Sequence, residues 1–490
     1  MMLCDIIQDM ELLEKRGDFS IEIQQVRYQS SDVQPGDLFC TWQGENSDGH
    51  DYVDDAVKRG ARALITEKNY EGSSEVAWAR VVSGRKALAQ ASSNYFGRPS
   101  SRLRMVGITG TNGKTSTATL IHYILECAGL KSGLLGTVEY RIGEKKIAAS
   151  RTTPESWDCQ KMLAEMVKEN CVATVMEVSS HALALDRVEG ITFAVGVFTN
   201  LTQDHLDFHK TMEAYFLAKQ KLFLGLKAGA VAVVNMDDVH GQRLLESMPQ
   251  NVRTLTYTKS VSPSKADIQA EDIHYTAEGT SFNCRTAEGV FNVQVPWLGE
   301  FNVSNILAAL ATAKTFGITN EQLALWLPQA PPVLGRLQRI EHGGEYQVLV
   351  DYAHTDDAVK NILTSLRPLC NNRLKIVIGC GGDRDSSKRP LMAQAACEYA
   401  DEVIFTSDNP RSEDPEAILQ QMIKGVSHQK NFKVIISREE AIQNCIKSGQ
   451  AGDIIVLAGK GHESTQETKE GKFPFSDYNV ALRYLTEKSV

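Results

Sequence analysis

The chain of 490 residues has the composition of an ordinary soluble protein, with 42% hydrophobic and 23% charged residues. At roughly 100–200 residues per domain, this length predicts about three domains, each with its own core. The net charge of −9 and the pI near 5.8 argue against a nucleic-acid-binding protein, which usually carries a basic face. No apolar run approaches the ~18 residues of a membrane span, so no membrane association is expected.

Cysteine usage and the first residues predict a reduced, cytoplasmic location. The ten cysteines are scattered without a C-x-x-C pair, so neither a disulfide framework nor a structural zinc site is expected. The N-terminus lacks the basic stretch followed by an apolar stretch that marks a secretory signal. We therefore expect a cytoplasmic protein.

Three segments with different patterns divide the chain into predicted domains at residues 1–101, 102–331 and 332–490. The first mixes short strand-like runs with turns and ends in a predicted linker at 97–101. In the other two, near-continuous apolar strands alternate with helices, which predicts parallel sheets covered on both faces. The fold class is therefore α/β, with an N-terminal α/β domain, a central parallel-sheet domain and a C-terminal Rossmann-like domain.

The elements that support this division are short and regularly spaced. In chain order they are a strand at 38–42, a helix start at 51–57, strands at 61–66 and 104–109, a helix at 115–128, and strands at 172–176, 230–234, 348–350, 375–378, 402–405 and 454–457.

A glycine-rich turn lies between the strand at 104–109 and the following helix. Its sequence, GITGTNGKT at 107–115, lets backbone N–H groups approach phosphate oxygens, while Lys114 reaches the phosphates and Thr115 can hold magnesium. Strict P-loop spacing places glycine where this chain has Ile108, and a turn without a ligand is the alternative. The predicted nucleotide contacts are Gly110, Thr111, Asn112, Gly113, Lys114, Thr115 and Ser116.

A carboxylate and a histidine follow two later strands. Glu177 ends a buried strand, and the carboxyl edge of a parallel sheet faces its ligand crevice. Because Mg²⁺ prefers hard oxygen ligands, Glu177 is a candidate magnesium ligand, with a solvated strand-end carboxylate as the alternative. The stretch TNLTQDHLDFH at 199–209 adds His205 to a polar region, although a lone histidine is more often structural.

These motifs resemble the Mur ligase family, whose members join an amino acid to a carboxylate through an acyl phosphate. The resemblance covers essentially the whole chain. It implies that Thr115 and Glu177 contact the magnesium shared with ATP and that His205 holds a second magnesium. Lys219 matches the family lysine that carbon dioxide converts into an anionic carbamate ligand, whereas the sequence alone indicates a solvated helix lysine. The implied catalytic residues are Lys114, Thr115, Glu177, His205 and Lys219.

The resemblance also extends the ATP site beyond the glycine-rich turn. Asn302, in LGEFNVSN at 298–305, corresponds to the segment that contacts adenine. Arg336 and Asp351 correspond to third-domain residues that close over ATP, and the alternative for both is packing at a domain junction.

The segment Asp-Asn-Pro-Arg at 408–411 resembles the motif with which some members recognise meso-diaminopimelate. This amino acid is lysine with an additional carboxylate. Because a guanidinium binds a carboxylate through two parallel hydrogen bonds, Arg411 is expected to bind the additional carboxylate. As a bare motif the segment is only a turn. The implied diaminopimelate contacts are Arg384, Asp408, Asn409, Pro410, Arg411, Gly459 and Glu463.

The resemblance implies UDP-MurNAc-L-Ala-D-Glu as the nucleotide-sugar substrate. Its implied contacts are Ser30, Thr152, Thr153, Ser179 and Arg187, together with the loop at 45–50 in a first domain that binds the uridine diphosphate. Serine and threonine in loops usually cap turns, which is the alternative for these positions. The chain departs from the family pattern at Gln29, Ser31, Leu185, Gln338 and Asp356.

The resemblance implies an ATP-dependent amide ligase that adds meso-diaminopimelate to this substrate in peptidoglycan precursor synthesis and works as a monomer. The nearest alternative is the same ligase using L-lysine. A folylpolyglutamate synthetase is less favoured because a separate first domain precedes the P-loop. Alternatives from other classes are a P-loop NTPase switch and a non-catalytic nucleotide-sugar-binding protein.

Overall fold

The structure, a computed structural model, describes residues 1–44, 47–260, 266–426, 428–429 and 431–487. Sheets covered by helices follow one another along this part of the chain, which confirms the predicted α/β class. Within it, no helix combines the length and the apolar character needed to cross a membrane.

The N-terminal sheet is mostly parallel and is covered by short helices. Its strands are Glu14–Arg16 (β1), Val26–Arg27 (β2), Leu38–Cys40 (β3), Ala63–Thr66 (β4) and Ala77–Arg80 (β5). Their order is β1-β5-β4-β3-β2, and β1 runs antiparallel to β5. The surrounding helices are Leu3–Ile6 (α1), Val53–Lys58 (α2) and Gly84–Tyr95 (α3), with 3₁₀ turns at Ser30–Asp32, Gly49–Tyr52 and Pro99–Arg102.

The central sheet is larger and carries the glycine-rich turn. Its strands are Arg104–Thr109 (β6), Ser132–Leu135 (β7), Glu139–Ile142 (β8), Lys145–Ala148 (β9), Ala173–Glu177 (β10), Val195–Phe198 (β11), Val231–Asn235 (β12), Arg253–Thr258 (β13), Ile268–Tyr275 (β14), Thr280–Thr286 (β15) and Gly289–Val295 (β16). Its helices are Lys114–Cys127 (α4), Ser156–Lys168 (α5), Ser180–Ala184 (α6), Leu206–His209 (α7), Met212–Leu224 (α8), Val239–Glu246 (α9), Phe301–Thr315 (α10) and Asn320–Trp326 (α11), followed by a 3₁₀ turn at Leu327–Gln329.

The centre of this sheet is parallel, but its two edges are not. The strand order is β16-β15-β14-β13-β12-β11-β6-β10-β7-β8-β9. The pairs at the edges, β14 to β16 and β7 to β9, are antiparallel. The predicted parallel sheet is therefore confirmed at its centre, and antiparallel strands extend it at both edges, where tight turns such as Gly143-Glu144 can join only antiparallel strands.

The strands of the C-terminal sheet run parallel, as predicted for a Rossmann-like domain, except at one edge. Its strands are Gln338–Arg339 (β17), Gln347–Asp351 (β18), Leu374–Ile378 (β19), Glu402–Phe405 (β20), Phe432–Val434 (β21) and Ile454–Ala458 (β22), in the order β17-β18-β22-β19-β20-β21, and only the β17–β18 pair is antiparallel. Around it lie the helices Asp356–Leu366 (α12), Lys388–Tyr399 (α13), Pro415–Lys424 (α14), Arg438–Lys447 (α15) and Asp477–Glu487 (α16), a 3₁₀ turn at Arg367–Leu369, and a hairpin of Thr465–Thr468 (β23) and Gly471–Pro474 (β24).

Two sequence predictions can be compared directly with these bounds. The helix predicted at 115–128 is α4, and Gly129 beyond its end has a φ of +72°, as expected for a helix C-terminus. The segment at 97–101, predicted as a linker, contains part of a 3₁₀ turn. Pro99 starts that turn because its restricted φ suits a first helical position.

A buried ion pair joins the last helix to the C-terminal sheet. Arg438 donates through Nε and Nη2 to the two carboxylate oxygens of Asp477 at 2.7 and 2.6 Å, and both side chains are fully buried. The same Nη2 donates to the carbonyl oxygen of Ala458 at the end of β22 at 2.8 Å. The pair therefore holds the starts of α15 and α16 against the carboxyl end of the central strand.

We expect Asp477→Asn to destabilise the protein, because breaking a buried ion pair costs about 3–5 kcal/mol. Urea unfolding followed by circular dichroism measures the change in free energy of unfolding. Glu271→Gln is the control, since it removes an exposed ion pair with Arg285 and should leave the unfolding curve nearly unchanged. Equal curves for the two variants would contradict the role assigned to the buried pair.

Candidate functional site

The predicted P-loop is a tightly packed turn between β6 and α4. Gly110 and Gly113 have φ of +154° and +84°. A Cβ at Gly110 would lie 1.8 Å from the hydroxyl oxygen of Thr199, and one at Gly113 would lie 2.1 Å from Oδ1 of Asn305. Both positions therefore need glycine, for space as well as for backbone conformation.

Two lysines hold the carbonyl groups of this turn. Lys114 Nζ donates to the carbonyl oxygens of Gly110 and Thr111 at 2.9 and 2.8 Å. Lys219 Nζ donates to the carbonyl oxygen of Gly110 at 2.8 Å. Because these carbonyls are bonded from within the protein, the turn can present the first N–H groups of α4, with the helix dipole, to an anion.

Lys219 is buried, which contradicts the solvated helix lysine that the sequence alone indicates. The residue is 1% exposed, and its Nζ lies 4.4 Å from the centre of the Tyr215 ring. Burial, reinforced by the charge of Lys114, lowers the pKa of Lys219 well below its ordinary value. This environment favours a neutral amine beside the turn.

Glu177 lies within reach of the start of α4, as the strand-end position predicts. Its carboxylate accepts hydrogen bonds from the hydroxyls of Thr115 and Thr137 at 3.0 and 2.9 Å and from the N–H of Thr137 at 2.8 Å. Glu177 is 1% exposed. The structure thus places the hydroxyl of Thr115 and the carboxylate of Glu177 together, and these are the hard oxygen ligands that Mg²⁺ prefers.

His205 lies at the start of α7, opposite the carboxylate of Asp204. Its Nε2 is 3.4 Å from Oδ2 of Asp204, and its ring is 4.8 Å from that of His181. Burial lowers the pKa of His205 to about 4, so the imidazole is neutral near pH 7, the form that binds metals. Among the described residues, no three or more His, Cys, Asp or Glu side chains group together to hold a metal ion.

A cavity of about 230 Å³ opens between the glycine-rich turn and the C-terminal sheet. Arg336 and Asp351 both line it. The Arg336 guanidinium lies 4.8 Å from the centre of the Tyr352 ring, and Asp351 accepts hydrogen bonds from the N–H groups of Leu337 and Ala353 at 2.6 and 2.7 Å. Burial raises the pKa of Asp351, and the nearby Arg336 opposes this effect.

Asn302 lies in an adjoining cavity rather than in this one. The adjoining cavity has a volume of about 340 Å³ and shares Ser116 and Arg336 with the first. Asn302 Oδ1 accepts a hydrogen bond from Nδ2 of Asn305 at 2.9 Å, and Asn305 itself lines the first cavity. Sequence analysis missed Asn305, although it lies one helical turn beyond Asn302.

A larger cavity of about 500 Å³ contains most of the residues predicted to bind diaminopimelate. Arg411 donates through Nη1 to the carbonyl oxygen of Gly382 at 2.7 Å, and its Nε lies 3.3 Å from Glu467. Pro410 is buried and does not line this cavity. The predicted residues that do line it are Arg384, Asp408, Asn409, Arg411, Gly459 and Glu463.

The two cavities have a common wall. Residues from the loop before α7 and from the segment after β18 line both of them. They are Asp204, His205, Tyr352, His354 and Thr355. Of these, only His205 was predicted, because the proximity of the two segments arises from the packing of the central sheet against the C-terminal sheet.

The residues predicted to bind the nucleotide sugar lie in two places. Ser30 lines a cavity of about 440 Å³ in the N-terminal sheet, with the ring of Trp42. Thr153 donates to the hydroxyl of Ser179 at 3.3 Å, and Arg187 donates to the carbonyl oxygen of Thr153 at 3.3 Å. The hydroxyl oxygens of Thr152 and Thr137 lie 3.1 Å apart. Glu45 and Asn46 of the predicted loop lie outside the described residues.

An acidic side chain that sequence analysis missed connects these two places. Glu155 forms ion pairs with Arg187 at 3.0 Å, with Arg151 at 2.9 Å and with Arg85 of α3 at 3.5 Å. The Arg85 guanidinium lies 4.7 Å from the centre of the Trp42 ring. One carboxylate therefore joins the arginine predicted to contact substrate to the N-terminal sheet.

Comparison with known proteins shows the same order of domains. The model of the Mur ligase family, catalytic domain, matches residues 22–96, that of the Mur ligase middle domain matches 108–313, and that of the Mur ligase, glutamate ligase domain, matches 335–461. A UDP-N-acetylmuramoyl-L-alanyl-D-glutamate–2,6-diaminopimelate ligase of Clostridium tetani is 39% identical over 494 residues, covering 99% of this chain and all of the relative. The chain belongs to the Mur ligase family.

Further relatives are similar in sequence, and solved structures are similar in fold. A relative with the same name from Geobacillus kaustophilus is 43% identical over 474 residues, covering 95% of this chain and 96% of the relative. A solved structure of a ligase of this name has a TM-score of 0.73 at 32% identity and covers 100% and 99% of the two chains. A Mycobacterium tuberculosis folylpolyglutamate synthase shares the fold, with a TM-score of 0.62 at 17% identity over 76% of this chain and 91% of its own.

We expect Gly113→Ala to lower ATP affinity by at least about tenfold, the factor that corresponds to about 1.4 kcal/mol. The new methyl group would displace either Asn305 or the glycine-rich turn of this Mur ligase. Titration with a fluorescent ATP analogue measures the affinity. Gly129→Ala is the control, because Gly129 also has a positive φ but has nothing within 4 Å of an added Cβ. Similar losses in both variants would contradict the steric argument.

Proposed function

We propose that this Mur ligase adds meso-diaminopimelate to UDP-MurNAc-L-Ala-D-Glu, forming an amide at the expense of ATP. The observation that carries the proposal is the common wall between the cavity at the glycine-rich turn and the cavity lined by Arg411. An activated carboxylate formed in the first cavity would face an amine bound in the second. The names of the relatives support the choice of both substrates.

The reaction needs two anions to meet and then one neutral amine to attack. The D-glutamate carboxylate attacks the γ-phosphorus of ATP, ADP leaves, and an acyl phosphate forms. Lys114 and the N–H groups of α4 offset the repulsion between these anions and align the transfer. The neutral amine of diaminopimelate then attacks the acyl carbon, phosphate leaves, and the nitrogen gives up one proton to phosphate or solvent to form the amide.

The residues present at the turn fit magnesium. Thr115 and Glu177 would hold the ion shared with ATP, and the neutral His205 would hold a second one. When bound, magnesium supplies positive charge that lowers the cost of bringing a carboxylate to the γ-phosphate. The burial of Lys219 beside Gly110 supports its assignment as the carbamylated lysine, because carbon dioxide reacts with a neutral amine and the resulting carbamate would supply an oxygen ligand.

The arginine of the larger cavity supports diaminopimelate over lysine. The contacts of Arg411 with Gly382 and Glu467 leave further donors of its fork for a carboxylate. L-lysine lacks the second carboxylate and would leave these donors unpaired in a closed site, which polar sites penalise strongly. This chemistry separates the proposal from its nearest alternative.

The remaining parts of the proposal concern organisation. We assign residues 1–101 to uridine diphosphate binding, 102–331 to ATP binding and 332–490 to amino-acid binding. The cavity around Ser30 and the ion pairs of Glu155 support the first assignment. We further propose that the enzyme acts as a monomer in the cytoplasm, without membrane or nucleic-acid partners, as the family resemblance implies.

The proposal is tested by phosphate release from ATP with magnesium, bicarbonate and UDP-MurNAc-L-Ala-D-Glu, with either meso-diaminopimelate or L-lysine added. Product mass is read in the same samples. We expect turnover to require both substrates and to favour diaminopimelate by about 100-fold or more. Arg411→Met should reduce this preference, because it removes the group that reads the second carboxylate.

Each other outcome of this assay contradicts part of the proposal. Equal turnover with lysine would contradict the role of Arg411 but keep the ligase chemistry. Phosphate release that ignores both substrates, with no new amide mass, would instead support an NTPase switch.

We expect a lysine carbamate at Lys219, detectable by ¹³C NMR after equilibration with ¹³C-bicarbonate. Lys219→Arg should abolish the signal, because a guanidinium does not form the carbamate. Lys221→Arg is the control, since Lys221 lies on the same helix but is exposed and bonds the carbonyl oxygen of Leu183. A signal that survives in Lys219→Arg, or is absent from the unmodified enzyme, would contradict the assignment.

A further inference from the structure

A buried lysine next to the cavity of about 500 Å³ that Arg411 lines has no role in the reaction described above. Lys460 follows β22 in the sequence GKGHE at 459–463, and it is fully buried. Its Nζ donates to Oδ1 of Asn409 at 2.9 Å and to Oε2 of Glu463 at 2.8 Å. A buried ammonium is costly unless it is paired, so these two contacts account for its presence.

The contact with Lys460 determines the orientation of the Asn409 amide. An ammonium can only donate, so the atom facing it must be the amide oxygen. The same oxygen accepts a hydrogen bond from the N–H of Glu467 at 2.9 Å, and Nδ2 of Asn409 donates to Glu463 at 2.8 Å. The side chain of Asn409 is thus largely engaged within the protein.

Glu463 is left with one oxygen for the cavity. Both Lys460 and Asn409 bond Oε2, whereas none of the residues that the structure describes donates to Oε1. The carboxylate side chain is 29% exposed and lines the cavity of about 500 Å³. Its second oxygen is therefore available to accept a hydrogen bond from an ammonium group of a bound amino acid.

We propose that Lys460 is a positioning residue for the amino-acid substrate, acting through Asn409 and Glu463. It ties the loop after β20 to the loop after β22 and points one carboxylate oxygen of Glu463 at the substrate ammonium. The inference rests on the proposed ligase function and names a determinant of amino-acid binding within it. ATP binding, which uses another cavity, does not depend on Lys460.

The test compares Lys460→Met with Lys375→Met. Lys375 is equally buried and is paired with Asp453 at 3.1 Å. Asp453 precedes β22 whereas Lys460 follows it, so the two lysines lie at opposite ends of that strand. Both variants lose a buried ammonium. We expect Lys460→Met to raise the KM for diaminopimelate by about 10- to 100-fold, the worth of a charge-assisted contact, with the KM for ATP unchanged. Lys375→Met should change neither KM.

A double-mutant cycle separates positioning from a general structural effect. If Lys460 acts through Glu463, Lys460→Met should raise the KM for diaminopimelate much less in a Glu463→Gln background than in the unmodified enzyme. Lys460→Gln, which keeps a donor without the charge, should give an intermediate KM. Additive effects, or parallel changes in the KM for ATP, would overturn the proposal.

Two further outcomes are decisive. If neither Lys460→Met nor Lys460→Gln folds while Lys375→Met does, Lys460 is structural and the proposal is overturned. The unmodified enzyme serves as the separate test of function: absence of amide formation with diaminopimelate would reject the ligase proposal itself, whereas normal turnover with unaffected Lys460 variants would reject only the positioning role.

Discussion

The hydrogen bond from buried Lys219 to the carbonyl of Gly110 connects the glycine-rich turn to α8. The rest of the site is arranged around that turn. Lys114 also donates a hydrogen bond to the carbonyl of Gly110. Close packing of Gly110 and Gly113 against Thr199 and Asn305 leaves no space for a side chain at either glycine. Hydrogen bonds that hold the turn from within the protein are what preorganised electrostatic stabilisation of an anion requires.

Buried basic side chains recur near the carboxyl ends of strands. Lys219, Lys460 and Arg438 are each buried, and each is paired with a carbonyl, carboxylate or amide oxygen. Such groups contribute little net stability, because desolvation offsets their attraction. Their value is directional, since a paired charge in a low dielectric orients its neighbours strongly. In the glycine-rich turn and in the loop of Asn409, a buried basic side chain therefore fixes the orientation of the oxygen that it bonds.

The predicted parts of the fold are those that depend on local pattern. The runs predicted as strands at 104–109 and 402–405 are strands with the same bounds in the structure. Such runs are recognisable in the sequence because a buried parallel strand must be apolar on both faces. The antiparallel edges β7 to β9 and β14 to β16 escaped prediction. Apart from the buried β7, their strands are partly exposed and mixed in composition, so the pattern there is weak, and a short turn decides the direction.

The sequence by itself determined the α/β class, the glycine-rich turn between β6 and α4 and the Asp-Asn-Pro-Arg segment, because each depends on residues adjacent in the chain. Only the tertiary structure decided that Lys219 is buried, that Asn305 faces the glycine-rich turn, and that Lys460 donates a hydrogen bond to the Asn409 amide oxygen. It also decided that the two cavities share a wall. The physical reason is that burial and side-chain pairing depend on residues far apart in the sequence, such as Gly110 and Lys219, which only the packing of α8 against the central sheet brings together.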